Sequence, residues 1–310
     1  MGDKGGERSL IRDAEFEPLN SIESERKNVF DTGAKPRHAI DLPHSTKTRK
    51  GLARVVTVMN LKGGVGKTTS VINIGARCAN LGLRVLIIDL DSQGNCATGL
   101  GIDKSKADYT TKTLFLNPEK ATECRYSTGV ENLHIIVADG RLISLEQEII
   151  ADLGREHYLS DAIESLLPFY DLVLIDTPPN LNLLSINALT ASDGVIIPVQ
   201  TEYFALEGLA MLTNSIKEVR KRINPRLGVD GIFLTMHAPT ILNNQVAGLL
   251  REHFWEHLVE PPVRRNIKLA EATSHGQPIT VFAPNSNGGN DYSALAENLV
   301  SRWALVSGGN

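Results

Sequence analysis

The chain has 310 residues, 42% of them hydrophobic and 22% charged, with a formal net charge of −4 and three cysteines. This is the composition of a globule long enough for one large α/β domain, and it excludes binding to nucleic acid by bulk charge, so that any basic surface must be local. No run of about 18 apolar residues predicts a membrane span, the polar N-terminus is not a signal peptide, and Cys78, Cys96 and Cys124 lack metal or C-x-x-C spacing, as expected of reduced thiols in a cytoplasmic protein.

Residues 1–50 have no hydrophobic period. Residues 1–34 carry five Lys/Arg against eight Asp/Glu, whereas Lys35, Arg37, Lys47, Arg49 and Lys50 face Asp41 alone in residues 35–50. So few apolar groups do not offset ordering entropy, and a disordered leader is expected there, with a partner-binding tail as the functional alternative. One folded domain is expected over 51–310.

The β-branched run Val55–Val58 predicts a strand, and an amphipathic helix opens at Val71, Ile72, Ile74, Ala76 and Ala79. Between them stands Lys62-Gly63-Gly64-Val65-Gly66-Lys67-Thr68-Thr69. Strand, glycine-rich loop and helix are the context of a phosphate-binding loop. Its backbone N–H groups form a nest for an anion, and the helix N-terminus adds its positive end. Lys67 can reach the β- and γ-phosphates, and the Thr68 hydroxyl is placed to ligate Mg²⁺. Leu61 stands where the ordinary Walker pattern has its first glycine, and a second lysine, Lys62, opens the loop.

Arg84–Leu90 is a continuous apolar run, as in a strand buried on both faces of a parallel sheet. Asp89 and Asp91 fall at its C-terminal end, where open α/β sheets bind ligands, and Asp89 is a further metal candidate. Residues 101–130 are polar and irregular. Leu133–Ala138 is expected as a short strand, followed by helices near 144–153 and 155–167. Tyr170–Asp176 reads as a Walker B strand, whose Asp176 holds Mg²⁺ through a water. Gly194–Val199 is a further buried strand, followed by a helix with apolar positions Leu209, Leu212, Ile216, Val219 and Ile223 and a basic end at Arg220, Lys221 and Arg222. A strand over 229–236 and helices over 246–258 and 291–306 complete the series. The last helix has only Arg302 on its polar face, too little for a membrane-surface helix, so its stripe from Tyr292 to Trp303 is expected in the core.

The loop, the Asp89-Leu90-Asp91-Ser92-Gln93-Gly94-Asn95 turn, the Asp176-Thr177-Pro178-Pro179 ending, the segment Glu202–Gly208 and the block Arg264–Gly276 occur in one order. Together, over roughly residues 53–305, they resemble the ParA-type partition ATPases of the ParA/MinD family. The fold implied is a mostly parallel, doubly wound sheet with helices on both faces. The resemblance implies ATP and Mg²⁺ as cofactors, a catalytic Asp91 that positions the attacking water, and a Lys62 that reaches the partner subunit's phosphates in an ATP-bound homodimer. It places Arg264 and Asn266 on the adenine side, although Arg264 replaces the family's proline.

The resemblance further implies nonspecific DNA binding on the nucleoid, weakened by salt, and a ParB-like or cargo-adaptor protein that stimulates slow hydrolysis, with no membrane. The family's L-T-M-x-D-x-R-T text is replaced by Leu234-Thr235-Met236-His237-Ala238-Pro239-Thr240, which lacks the arginine. DNA contacts then fall to Arg220, Lys221, Arg222, Arg251, Arg264, Arg265 and Lys268. Three alternatives stand beside this reading. They are a membrane-surface positioning ATPase of MinD or flagellar-number type, an electron-transfer ATPase like the nitrogenase iron protein, and a binding module with a dead site.

Overall fold

The computed structural model describes residues 40–46, 51–202 and 204–305. Seven strands form one sheet: β1 (Arg54–Val58), β2 (Val85–Asp89), β3 (Arg125–Ser127), β4 (Leu133–Ile136), β5 (Leu172–Asp176), β6 (Gly194–Gln200) and β7 (Gly228–Thr235), in the order β3-β4-β2-β5-β1-β6-β7. All neighbours are parallel except β3, which pairs antiparallel with β4. Every residue of β1, β2, β5 and β7 is buried, which is why these stretches read as continuous apolar runs rather than alternating ones.

Helices cover both faces. On one face, Val56, Val58, Ile87 and Leu174 pack against α1 (Lys67–Asn80) and the C-terminal helix Asn287–Arg302. On the other, Val55, Leu86, Ile88 and Val173 meet the short helices α2 to α6 of the chain's middle only in part: α3 (Thr111–Leu116), α4 (Leu145–Ile149), α5 (Tyr158–Ile163) and α6 (Leu183–Ala191) lie there, whereas α2 (Asn95–Gly99) lies with α1. The β6–β7 half of that second face is covered by α7 (Ala205–Arg222) and α8 (Ile241–Phe254). The small helices α9 (Ile267–Ser274) and α10 (Ile279–Phe282) lead into the C-terminal helix, α11.

The stripe on α11 is core, as expected: Tyr292, Leu295, Ala296, Leu299, Val300 and Trp303 are all buried. The helix starts four residues before the predicted Asp291, because Ser286 accepts from the Gly289 N–H and caps it there. Likewise α8 starts at Ile241 rather than 246, where Thr240 accepts from the Asn243 N–H. The region 101–130 holds α3 and β3, both too short to leave a period in the sequence.

Most of the expected leader 1–50 lies outside the described residues. The part Ile40–Thr46 lies along the N-terminal end of β7 as an extended strap. Pro43 O accepts from the Val229 N–H at 2.8 Å, Ile40 N–H donates to His253 O at 2.8 Å, and Leu42 is buried in the α7–α8 core. Gly228 makes room for it: a Cβ there would lie 2.0 Å from Ser45 N. At the strap's end, the buried Arg54 of β1 makes a forked contact with Asp230 of β7, at 2.8 Å from Nη2 to Oδ1 and 3.2 Å from Nε to Oδ2. Ser45 Oγ and Trp303 Nε1 donate to the same carboxylate. One buried carboxylate therefore joins the strap, the first strand, the edge strand and the last helix.

Candidate functional site

β1 ends against the central strands, so its loop opens at the C-terminal edge of the sheet, beside the ends of β2 and β5. Asn60 shapes the start of the loop: its Nδ2 donates to Pro198 O at 2.7 Å and its Oδ1 accepts from the Lys62 N–H at 2.9 Å. Gly64 and Gly66 have φ of +75° and +88°, a left-handed turn that a side chain would strain. At the far side the Thr235 hydroxyl donates to Val65 O at 2.8 Å, tying the loop to the end of β7.

α1 then begins at Lys67 with no side-chain cap and no acidic residue in its first turn. Its first N–H groups are left to a ligand, which is what an anion site at a helix N-terminus requires.

The two loop lysines have different surroundings. Lys67 is 8% exposed, and its Nζ donates to Lys62 O at 3.2 Å. Burial lowers its pKa, an effect opposed by the nearby Asp176 and Asp91 carboxylates. Lys62 projects outward, half-exposed, and pairs with Glu202 at the end of β6.

Sheet register brings the acidic groups together, since Asp89 and Asp176 are direct partners on β2 and β5. Thr68 Oγ1 donates to Asp176 Oδ2 at 2.6 Å, while Asp176 Oδ1 is buried with no hydrogen-bond partner among the described residues. Burial pushes the Asp176 carboxyl up to about 6, against the opposing pull of the Thr68 hydrogen bond. Asp89 is pushed up as well, by burial first and then by Asp176. Its Oδ1 accepts from the Asp91 N–H at 2.9 Å and its Oδ2 from the Cys96 N–H at 3.1 Å. Asp89 therefore shapes the turn that carries Asp91 at the partly exposed rim, where Asp91 Oδ1 accepts from the Gln93 N–H at 3.0 Å.

A hydroxyl, an orphaned buried carboxylate oxygen, a buried lysine and a backbone nest fit a nucleoside triphosphate with Mg²⁺. Thr68 would ligate the ion and Asp176 would hold it through a water, as the sequence leads one to expect. The ion would also offset the cost of keeping Asp176 charged in the interior.

The remaining predicted residues fall into two groups. Asn266 Oδ1 accepts from the Lys268 N–H and caps α9, and the neighbouring Arg264 is forked onto Asp291 at 2.7 and 3.0 Å. Both follow β7 in the chain, where His237 forms a parallel bridge with Arg264. The proposed DNA contacts are not gathered into one patch on the single chain. Arg220, Lys221 and Arg222 end α7 near the N-terminal edge of the sheet, whereas Arg265 and Lys268 stand beyond the C-terminal edge. Arg222 pairs with Glu218, Arg251 with Glu260 and Lys268 with Glu271, while Arg220 donates to the backbone carbonyls of His44 and Leu227. Asn60 and Thr235 belong to the site without having been assigned a role from sequence, and Glu202 was marked there only as the start of the Glu202–Gly208 segment, not as a partner of Lys62. For the first two the only signal was adjacency to the strand ends.

A parallel sheet carrying this loop defines a P-loop nucleotide hydrolase of the deviant Walker A kind. A family model described as AAA domain matches residues 53–229. The sporulation initiation inhibitor protein Soj of Bacillus subtilis is 41% identical over 81% of this chain and 99% of its own length. The chromosome partitioning protein ParA of Caulobacter vibrioides is 40% identical over 80% of this chain and 94% of its own. The solved cobyrinic acid a,c-diamide synthase from Mycobacterium smegmatis with bound ADP and magnesium shares 30% identity at a TM-score of 0.72, covering 82% of this chain and 96% of that one. MinD of Pyrococcus horikoshii complexed with Mg-ADP, at 23% identity and a TM-score of 0.68 over 84% of this chain and all of that one, shares the fold. The chain belongs to the ParA-type ATPases of the ParA/MinD superfamily, and is a positioning ATPase. Among the described residues no helix is long and apolar enough to cross a membrane.

Proposed function

We propose that the protein is an ATP-dependent dimerising switch that rides on nonspecific DNA and positions or segregates a cargo, in the cytoplasm and on the nucleoid. It takes ATP with Mg²⁺, the ion neutralising phosphate charge and orienting the γ-phosphoryl group. Lys67 and the loop N–H groups hold the phosphates, Thr68 and Asp176 hold the metal's side of the site, and Asp91 at the rim orients the attacking water. The observation that carries the dimer is the outward direction of Lys62. A lysine that pairs with Glu202 on the loop's outer side, while Lys67 serves the inner side, is placed to serve a second copy's phosphates. Hydrolysis removes the γ-phosphate that this lysine bridges, and the dimer parts.

DNA contacts would come from the exposed basic end of α7, at Lys221 and Arg222, and from Arg265 beyond β7, with two copies combining surfaces that one copy keeps apart. A ParB-like or adaptor protein bound to the cargo would stimulate hydrolysis. Sedimentation velocity of the Asp91→Ala protein tests the switch: a dimer with ATP and Mg²⁺, a monomer with ADP, and a monomer under both conditions once Lys62→Ala is added. A Lys62→Ala protein that still dimerises with ATP contradicts it.

A further inference from the structure

The strap brings one histidine onto another, at the end of the sheet away from the phosphate loop. The His44 and His257 rings stack with centroids 4.7 Å apart and an interplanar angle of 26°. His257 follows the end of α8 and is 2% exposed. Its Nδ1 lies 3.0 Å from Val229 O. A carbonyl oxygen can only accept, so Nδ1 carries the proton and Nε2 presents a bare lone pair. That Nε2 is buried and has no hydrogen-bond partner among the described residues. Buried polar atoms are nearly always satisfied, so an orphan of this kind points to a missing group. Glu256 Oε2 lies 3.7 Å from His44 Nε2, and one ligand atom from each of His44, Glu256 and His257 falls within 4.8 Å of the others.

We propose that His44, Glu256 and His257 form a zinc site that clips the strap to the ATPase domain. Two imidazoles and a carboxylate, with water in the remaining position, are a donor set for Zn²⁺. Mg²⁺ and Ca²⁺, which prefer oxygen ligands throughout, do not suit it. The Nδ1–H of His257 bonded to a backbone carbonyl is the outer contact that fixes a metal-bound imidazole in its tautomer and orientation.

The ligand atoms, within 4.8 Å of one another on stacked rings, must draw together to hold one ion. His44 has a side chain 69% exposed and Glu256 one 35% exposed, so both can close on an ion while His257 stays fixed. The turn carrying Glu256 and His257 is held by Arg302, which donates to the carbonyls of Glu256, His257 and Leu258. The strap residues on either side of His44 are already docked through Pro43 O and Ser45 Oγ. An ion here adds a tie between the strap and the α8–α11 side of the domain. It stands apart from Asp89, Cys96 and Asp176, whose buried ligand atoms surround the Mg²⁺ side of the nucleotide site.

The test uses the untagged full-length protein, stripped of metal and titrated with Co²⁺ and then Zn²⁺. The expected result is one equivalent of Co²⁺ with visible d–d bands and no thiolate charge-transfer band, displaced by Zn²⁺. His44→Ala and Glu256→Gln, both at exposed side chains, each weaken binding at least about tenfold. Zn²⁺ also slows hydrogen exchange of the Val229 amide, which donates to the strap, in the wild type but not in His44→Ala. Absence of Co²⁺ binding, affinity unchanged in His44→Ala, or a thiolate band that vanishes with Cys96→Ala would each overturn the assignment.

Discussion

The Thr68 hydroxyl donates to Asp176 Oδ2 at 2.6 Å, joining the first turn of α1 to the end of β5 across 108 residues of chain. The other oxygen of that carboxylate is buried without a partner among the described residues. Asp176 is thus kept at a cost to the nucleotide-free fold, since burial raises its carboxyl to about 6 and a solution near pH 7.5 still forces it to ionise. Asp176→Asn keeps the shape and removes the charge. It should raise the melting temperature of the nucleotide-free protein while weakening Mg²⁺ support of ATP binding about 10–100-fold. Melting curves and Mg²⁺ titrations with a fluorescent ATP analogue read the two effects separately. A fall in both stability and Mg²⁺ affinity would assign Asp176 a mainly structural role.

Lys62 is held by Glu202 on the single chain, and in the proposed dimer it would exchange that ion pair for the partner's phosphates. Both side chains are about half-exposed, and such a pair is worth at most about 1 kcal/mol. Two such pairs open in a symmetric dimer, so Glu202→Gln should strengthen ATP-driven dimerisation by no more than about thirtyfold, with the gain shrinking as salt rises. Dimer dissociation constants at low and high salt measure it. A weaker dimer would show instead that Glu202 acts in the interface.

Six of the seven strands and the phosphate loop were legible in the sequence, because parallel strands covered on both faces leave largely apolar runs, whereas the order of the strands across the sheet was not. Asp89, Asp91 and Asp176 were legible because they end those runs. The strap was not. Among Ile40–Thr46, Leu42 alone is buried and hydrophobic, and the rest is held by backbone hydrogen bonds and the space above Gly228, neither of which leaves a period. The pairing of Glu202 with Lys62 and the separation of the basic residues were equally hidden, since pairing across strand ends and placement on opposite edges of a sheet depend on topology. Helix starts at Ser286 and Thr240 were missed because the capping residue precedes the apolar stripe by a turn or more.

Alkaline pH should unfold the protein more readily than carboxylate chemistry alone implies. Burial pushes the thiol of Cys78 up to about 12 and that of Cys124 up to about 11, and it pushes the phenol of Tyr292, whose oxygen lies 3.0 Å from Ser70 Oγ, up to about 12. Between the ordinary values and these raised ones, the native state binds more protons than the unfolded state. Stability is therefore intact below about pH 9 and falls from there toward 12, by up to about 1.4 kcal/mol per pH unit for each group. Urea unfolding at pH 8, 9 and 10 should show the decline, and Cys78→Ala should make it shallower. An identical slope in that variant would contradict the assignment.

Asp230 receives hydrogen bonds from Arg54, Ser45 and Trp303, all at the base of the sheet. Asp230→Ala takes from a buried guanidinium its forked partner and should cost about 3–5 kcal/mol. Denaturant titration measures the loss. Because the strap shares this carboxylate, exchange of the Val229 amide should quicken by more than global unfolding accounts for. A loss under about 1 kcal/mol would mean that the network adds little.

In the proposed switch, ATP makes this chain a DNA-bound dimer. The direct measurement is binding of the Asp91→Ala protein to nonspecific duplex DNA at several salt concentrations, with ATP, with ADP and without nucleotide. Binding is expected with ATP alone, its log affinity falling linearly against log salt as phosphate contacts release counterions. A dimer that forms with ATP yet leaves DNA unbound even at low salt would contradict it.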